Sequence, residues 1–125
     1  MNKDQADNHV IRVRPNLIRV TVTGAQTGES VAGTLHEVIT MLERPGVDQR
    51  AALLIDLSAG PGQNLAARAE ARKFLTFLRS HRIAIFGAGY TLKTVVDIII
   101  KGSGMTGQVG NFYKEEDALR WLQEK

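Results

Sequence analysis

Short apolar segments alternate with amphipathic ones along the whole chain. Two β-branched runs, residues 10–13 and 17–22, flank the turn-forming residues Pro15 and Asn16, so they predict a hairpin. Residues 19–23 alternate strictly between apolar and polar side chains, which is typical of a strand with one buried face. The chain is therefore expected to begin with two antiparallel strands.

Helical periodicity appears in four later segments. Apolar residues recur there every three or four positions, which predicts amphipathic helices. The segments are residues 28–44, 64–80, 90–101 and 114–125. Two alternatives stay open: the first helix could begin at Thr34, where Glu37 would complete a capping box, and the β-branched run 95–100 would also suit a strand.

Three short apolar runs lie between the helices and read as buried strands: residues 51–57, 82–86 and 108–112. Strands separated by helices run parallel through right-handed crossovers. The predicted fold class is therefore α/β, a single-layer mixed sheet of about five strands, with an antiparallel N-terminal hairpin, parallel remaining strands and about four helices. We expect one domain spanning residues 1–125, with residues 1–8 flexible.

Composition supports a single globular domain. The chain has 125 residues, of which 43% are hydrophobic and 23% charged, with a net charge of +3. It has no cysteine, which excludes disulfides and thiolate metal sites and favours the cytoplasm. Residues 1–7 are polar, so we expect neither a signal peptide nor a transmembrane segment there. The three histidines, His9, His36 and His81, show no metal-ligand spacing, and no cofactor is expected.

The candidate site lies in the loops that leave the parallel strands, residues 58–64 and 87–91. Such loops gather at the carboxyl edge of a sheet, where ligands and partners usually bind. The candidate binding residues are Asp56, Ser58, Gly62, Gln63, Asn64, Gly87, Gly89, Tyr90 and Thr91.

Each candidate also has a structural interpretation. Asp56 could bind a cation or a partner amide, or simply accept hydrogen bonds from the turn that follows it. Gln63 and Asn64 also suit a loop or a helix cap. The glycine-rich turn at residues 87–89 could receive an anion, but Leu92 replaces the third glycine of a dinucleotide fingerprint, so we favour a plain turn.

Two helical surfaces could contact partners. Ile98 and Ile100 widen the apolar stripe of the third helix, which fits either a homodimer interface or deeper burial. Arg68, Arg72 and Arg79 share one flank of the second helix, where an acidic protein, anionic lipid or nucleic acid could bind. Because no exposed aromatic residues interleave with them, we favour a solvated face and do not expect nucleic-acid binding.

Three segments carry a family resemblance: Leu-Ile-Asp-Leu-Ser at 54–58, Arg-Ile-Ala-Ile-Phe-Gly at 82–87, and Phe-Tyr-Lys-Glu-Glu-Asp-Ala-Leu-Arg-Trp-Leu at 112–122. With the order of elements, they resemble the STAS-like superfamily, small domains related to anti-sigma-factor antagonists, and especially its STAS/Sec14-type branch. The resemblance implies a regulatory or binding module rather than an enzyme. Where the phosphorylated branch has a serine, residues 60–65 read Gly-Pro-Gly-Gln-Asn-Leu, without a hydroxyl, so no kinase-operated switch is expected there.

Three functional hypotheses follow. The leading one is a non-catalytic module that binds a protein partner through the loop edge. The alternative is a carrier or sensor of a small apolar ligand or lipid, which requires a cavity beneath Tyr90 and Leu92. An enzyme comes third, because only the glycine turn supports it.

Overall fold

The computed structural model describes residues 5–124. In chain order the elements are β1 (His9–Arg14), β2 (Leu17–Thr21), β3 (Ala25–Gln26), α1 (Gly28–Leu42), β4 (Ala52–Asp56), β5 (Gly62–Gln63), α2 (Leu65–Phe77), β6 (Ile83–Phe86), α3 (Tyr90–Ser103), β7 (Val109–Phe112) and α4 (Glu115–Gln123). Every predicted helix and strand is present. Strands β3 and β5 were not predicted, because a two-residue strand leaves no periodic pattern in a sequence.

A five-stranded mixed sheet forms the centre of the fold, in the order β1-β2-β4-β6-β7. Strands β1 and β2 pair antiparallel, and the other neighbours pair parallel, which confirms the predicted fold class. The short strands β3 and β5 pair parallel in a separate sheet and place Gln26 beside Gln63. This pairing attaches the loop after β4 to the segment that precedes α1.

The helices cover the two sheet faces unequally. Helices α1, α2 and α3 lie on one face, over a core that includes the fully buried Ile18, Leu53 and Ile83. Helix α4 lies alone on the other face, where Ala118 packs against the β-strand side chains, among them Leu54. Successive side chains of a strand point to opposite faces of the sheet, so the strands contribute to two separate cores.

Local caps decide the helix boundaries. Thr27 and Ser30 form a reciprocal capping box, so α1 begins at Gly28 rather than at Thr34. The Asn64 side chain accepts from the Ala67 N–H and caps α2. The β-branched run 95–100 is helical, because Val96, Ile99 and neighbouring residues bury one helical face against the sheet.

One expectation needs correction. Ile100 is only 3% exposed and belongs to the core, so it cannot form an interface, whereas Ile98 on the outer side of α3 is 62% exposed. The flexibility expected of the N-terminal segment stays a prediction. Within that segment Gln5 forms a β-bridge with Ala25, and the Asn8 side chain bonds to Gln26 and Thr34. Residues 1–4 lie outside the described residues. None of the helices described is long and apolar enough to cross a membrane.

Candidate ligand-binding site

The two predicted loops meet at the carboxyl edge of the sheet. Gly87 has a φ of +87°, and a Cβ there would lie 2.8 Å from the backbone nitrogen of Ser58. Only glycine permits both this left-handed conformation and this close approach without strain. The loops after β4 and β6 are therefore packed directly against each other.

Asp56 is held by hydrogen bonds on both carboxylate oxygens. Oδ1 accepts from the backbone N–H of Ser58 (2.8 Å) and from its hydroxyl, and Oδ2 accepts from Nη2 of Arg19 (2.8 Å). Arg19 also donates through Nη1 to Glu115 at 2.6 Å, and its guanidinium lies 5.4 Å from the centroid of the Phe86 ring. This cluster joins β2, β4 and the start of α4.

Electrostatics favours the ionised form of both partners. Burial raises the pKa of Asp56, but the hydrogen bonds from Ser58 and the charge of Arg19 outweigh it, so the net pKa lies below its ordinary value. Burial lowers the pKa of Arg19, and the hydrogen bonds and charges of Glu115 and Asp56 more than compensate. A carboxylate so fully occupied is a structural anchor, which fits the interpretation of Asp56 as an acceptor for the following turn.

On the face of the sheet opposite α4, the structure contains an apolar cavity of about 130 Å³ between the sheet and helices α1 to α3. Aliphatic and aromatic side chains from every one of these elements line it, including Ile55, Ala71, Phe74, Leu92 and Val96. Pro61, Gly62 and Gln63 line it from the loop after β4, and Gly62 is exposed to solvent. The cavity therefore reaches the loop edge of the sheet.

One side of the cavity carries a polar network whose groups bond to one another. The Gln26 amide donates to the Asn8 Oδ1 (3.0 Å) and to the Thr23 carbonyl (2.8 Å), and it accepts from the Asn8 amide (2.8 Å) and the Ser30 hydroxyl (2.9 Å). The Asn8 amide also donates to the Thr34 hydroxyl at 2.9 Å. No charged side chain lines this cavity among the described residues. The hydrogen-bonded side chains of Asn8, Gln26 and Thr34 thus form one side of the cavity and present no charge to a ligand.

The predicted site residues divide into two groups. Gly62 and Gln63 line the cavity, together with Leu92 of α3. The others lie outside its lining: Asp56, Ser58 and Gly87 join the two loops, Asn64 caps α2, Gly89 precedes α3, and Tyr90 and Thr91 are exposed on its first turn.

Sequence reasoning missed the polar wall and Arg19. Asn8 fell in the segment expected to be flexible, and Gln26 belongs to a strand too short to recognise. Arg19 gave one signal, a charged residue on a strand next to a buried one, but its partners lie 37 and 96 positions away in the chain. Within residues 5–124, no three histidine or acidic side chains are grouped to hold a metal ion.

Comparison with known proteins shows the fold. No family model and no curated protein matches this chain. A solved structure from Shewanella loihica PV-4, an uncharacterized protein of the DUF3478 family with a SpoIIAA-like fold, is similar with a TM-score of 0.67. The two chains are 20% identical, and the match covers 98% of each. The chain therefore has the SpoIIAA-like, STAS-like fold that its sequence predicts.

Proposed function

We propose that this protein is a non-catalytic binding module that holds a small apolar ligand between its sheet and helices α1 to α3. The cavity carries this proposal, because its volume of about 130 Å³ is close to that of engineered apolar cavities of roughly 150 Å³, which stay dry and bind benzene or xenon. A ligand carrier requires a cavity beneath Tyr90 and Leu92. Leu92 lines the observed cavity, whereas Tyr90 lies outside its lining.

The lining defines the ligand class. A charged group would lose its hydration without gaining an ionic partner, so the buried part of the ligand is neutral. The polar groups of the wall already form hydrogen bonds with one another. The surface that remains for a ligand to contact is therefore apolar. Gln63 lies at the loop edge of the cavity and, among the described residues, receives no side-chain hydrogen bond. Its amide can bond to a neutral polar end, such as a hydroxyl or an amide, on an otherwise apolar ligand.

Ligand uptake is tested by titrating the protein with benzene and with short linear alcohols while methyl NMR spectra are recorded. Ala71→Leu places a larger side chain in the cavity and is expected to abolish the shifts. Ala69→Leu makes the same change on the exposed side of the same helix and is expected to leave them unchanged. Equal binding by both variants would contradict the proposal.

A second proposed function is binding of a protein partner at the loop edge. Leu65 begins α2 and is 79% exposed, and Tyr90 begins the neighbouring α3 and is 81% exposed. Large exposed apolar residues at the same edge are typical of a contact surface. Partner capture that is lost in Leu65→Ser with Tyr90→Ser, but retained in Ala71→Leu, would favour this function over ligand storage.

Two further parts of the proposal concern the state of the protein in the cell. We place it in the cytoplasm, because it lacks cysteine. Ile98 is a proposed contact for self-association, since it is 62% exposed. Sedimentation of Ile98→Lys beside the wild type tests this contact, and identical monomeric profiles would remove it.

A further inference from the structure

A second binding surface lies at the β1 edge of the sheet, far in the strand order from β6 and β7. We propose that β1 accepts an extended acidic peptide as an additional strand. Within residues 5–124, β1 pairs only with β2, so its outer edge carries no strand. Such an edge is a template for strand addition.

The register shows which main-chain groups are free. The Asp7 N–H donates to the Thr23 carbonyl at 3.0 Å, in line with the pairs His9–Thr21 and Ile11–Arg19. Hydrogen-bonded pairs alternate along a regular antiparallel ladder, and β1 is regular as far as Arg12, where a register shift follows. The intervening residues Val10 and Arg12 therefore direct their N–H and C=O groups away from β2. These groups can bond to an added strand without breaking an existing bond.

The side chains along β1 indicate the chemistry of the partner. Ile11 and Val13 are 51% and 52% exposed, and Arg12 and Arg14 are exposed as well. Within the described part of the chain, neither arginine forms a salt bridge, although other arginines in the fold do. An added strand with apolar and acidic residues in alternation would place an apolar side chain beside Ile11 and an acidic one beside Arg12. The register of β1 against β2 shifts between Arg12 and Arg14, so the regular alternation ends at Arg12, and Arg14 adds positive charge at the end of the strand.

Beside this edge runs a groove of about 380 Å³ between β1 and α1, lined by Val10, His36, Glu37, Thr40, Met41 and Arg44. Arg44 adds a third positive charge along the path of the peptide, against one carboxylate from Glu37. The groove has room for the side chains that an added strand directs toward α1.

Charge also decides against a second copy of this chain as the occupant. Two β1 strands paired antiparallel would bring Arg12 and Arg14 of both copies together, and β1 contains no acidic residue to oppose them. Like charges on directly opposed strands are destabilising. An acidic peptide gains from the same charges.

The experiment uses a fluorescent peptide of about eight residues alternating Glu and Val, with a Lys and Val peptide of equal length as its control. Fluorescence anisotropy is expected to show binding of the acidic peptide only, with amide NMR shifts centred on Val10 and Arg12. Arg12→Glu with Arg14→Glu is expected to weaken binding at least about tenfold. Arg68→Glu with Arg79→Glu, which changes net charge equally on α2 and the turn after it, is expected to leave it unchanged.

A second pair of variants separates main-chain bonding from charge. Arg12→Ala removes the guanidinium but keeps the N–H, and is expected to weaken binding by about threefold. Arg12→Pro also removes the outward N–H, which an edge strand tolerates, and is expected to weaken binding by at least about tenfold. Equal affinities for these two variants, equal binding of both peptides, or a wild-type dimer that Arg12→Pro dissolves would overturn the proposal.

Discussion

The two faces of the sheet are built from the same strands but differ in how closely helices pack on them. Helix α4 fills its face closely: Ala118 is fully buried, and the Phe112 and Trp121 rings lie 5.7 Å apart. Helices α1 to α3 leave an apolar cavity of about 130 Å³ on the other face. A binding site for a small ligand needs empty space, and the cavity on the three-helix face provides it, which is why the proposed function is assigned to that face.

The faces also differ in charge. The α4 face contains the ionic cluster of Asp56, Arg19 and Glu115, and Arg82 donates to the Trp121 and Glu124 carbonyls at 2.8 and 2.6 Å while lying 4.0 Å from the Trp121 ring centroid. Arg82 thereby caps the last turn of α4. The lining of the cavity, in contrast, contains only neutral polar groups among the described residues. Charged side chains thus hold α4 in place, whereas none of them lines the cavity.

Asp56→Ala breaks the ionic cluster and should have the largest effect on stability. Arg19 and both Ser58 donors lose their acceptor, which is expected to lower the free energy of unfolding by about 3 kcal/mol. Urea denaturation measures this loss. Glu115→Gln is the control, because Glu115 has a side chain 45% exposed, and it should cost less than about 1 kcal/mol. Equal losses for the two variants would contradict the anchoring role of Asp56.

Ala118→Leu tests how tightly the α4 face is filled. Ala118 has no exposed surface, so the larger side chain must displace α4 or its neighbours, at an expected cost of about 2 kcal/mol. Thermal unfolding beside the wild type gives the value. A variant as stable as the wild type would show unfilled space on this face as well, and the contrast between the faces would be lost.

Acid should reduce the contribution of the Asp56 ionic cluster to the free energy of unfolding. Because the native pKa of Asp56 is lowered, its contribution to stability is complete above the ordinary value of 3.8 and is lost as the pH falls through the native value. The stability difference between the wild type and Asp56→Asn is therefore expected to narrow from about pH 4 downward. Urea titrations at a series of pH values measure it, and a difference that widens in acid would contradict the lowered pKa.

Ala71→Leu should have the smallest effect on stability and the opposite sign to Ala118→Leu. Its side chain fills part of the cavity, with an expected change between zero and a gain of about 1 kcal/mol. The same thermal unfolding assay compares the two variants directly. A loss as large as that of Ala118→Leu would mean that the cavity face has no usable space.

Much of this fold could be predicted from local pattern. The alternation of β2 and the three-and-four spacing of the helices each report one buried face, and the helix caps at Thr27 and Asn64 are short-range signals. Strands β3 and β5 escaped prediction because tertiary pairing, rather than their own composition, makes them strands. Ile100 was ambiguous because a β-branched run is apolar on every side and does not show which side is covered.

The candidate site could be predicted only in position. Parallel topology placed the loops after β4 and β6 at one edge, and the contact of Gly87 with Ser58 confirms that adjacency. A cavity, however, depends on the sum of side-chain volumes from five or more elements, which no local pattern records. The Asn8, Gln26 and Thr34 network likewise joins residues up to 26 positions apart.

The most direct test of the cavity as a binding site is a benzene titration followed by methyl NMR on the wild-type protein. We expect saturable shifts for the methyl groups of Val31, Leu92 and Val96, and none for Leu119 and Leu122 on the α4 face. Shifts that are absent, or that affect both faces equally, would contradict the account.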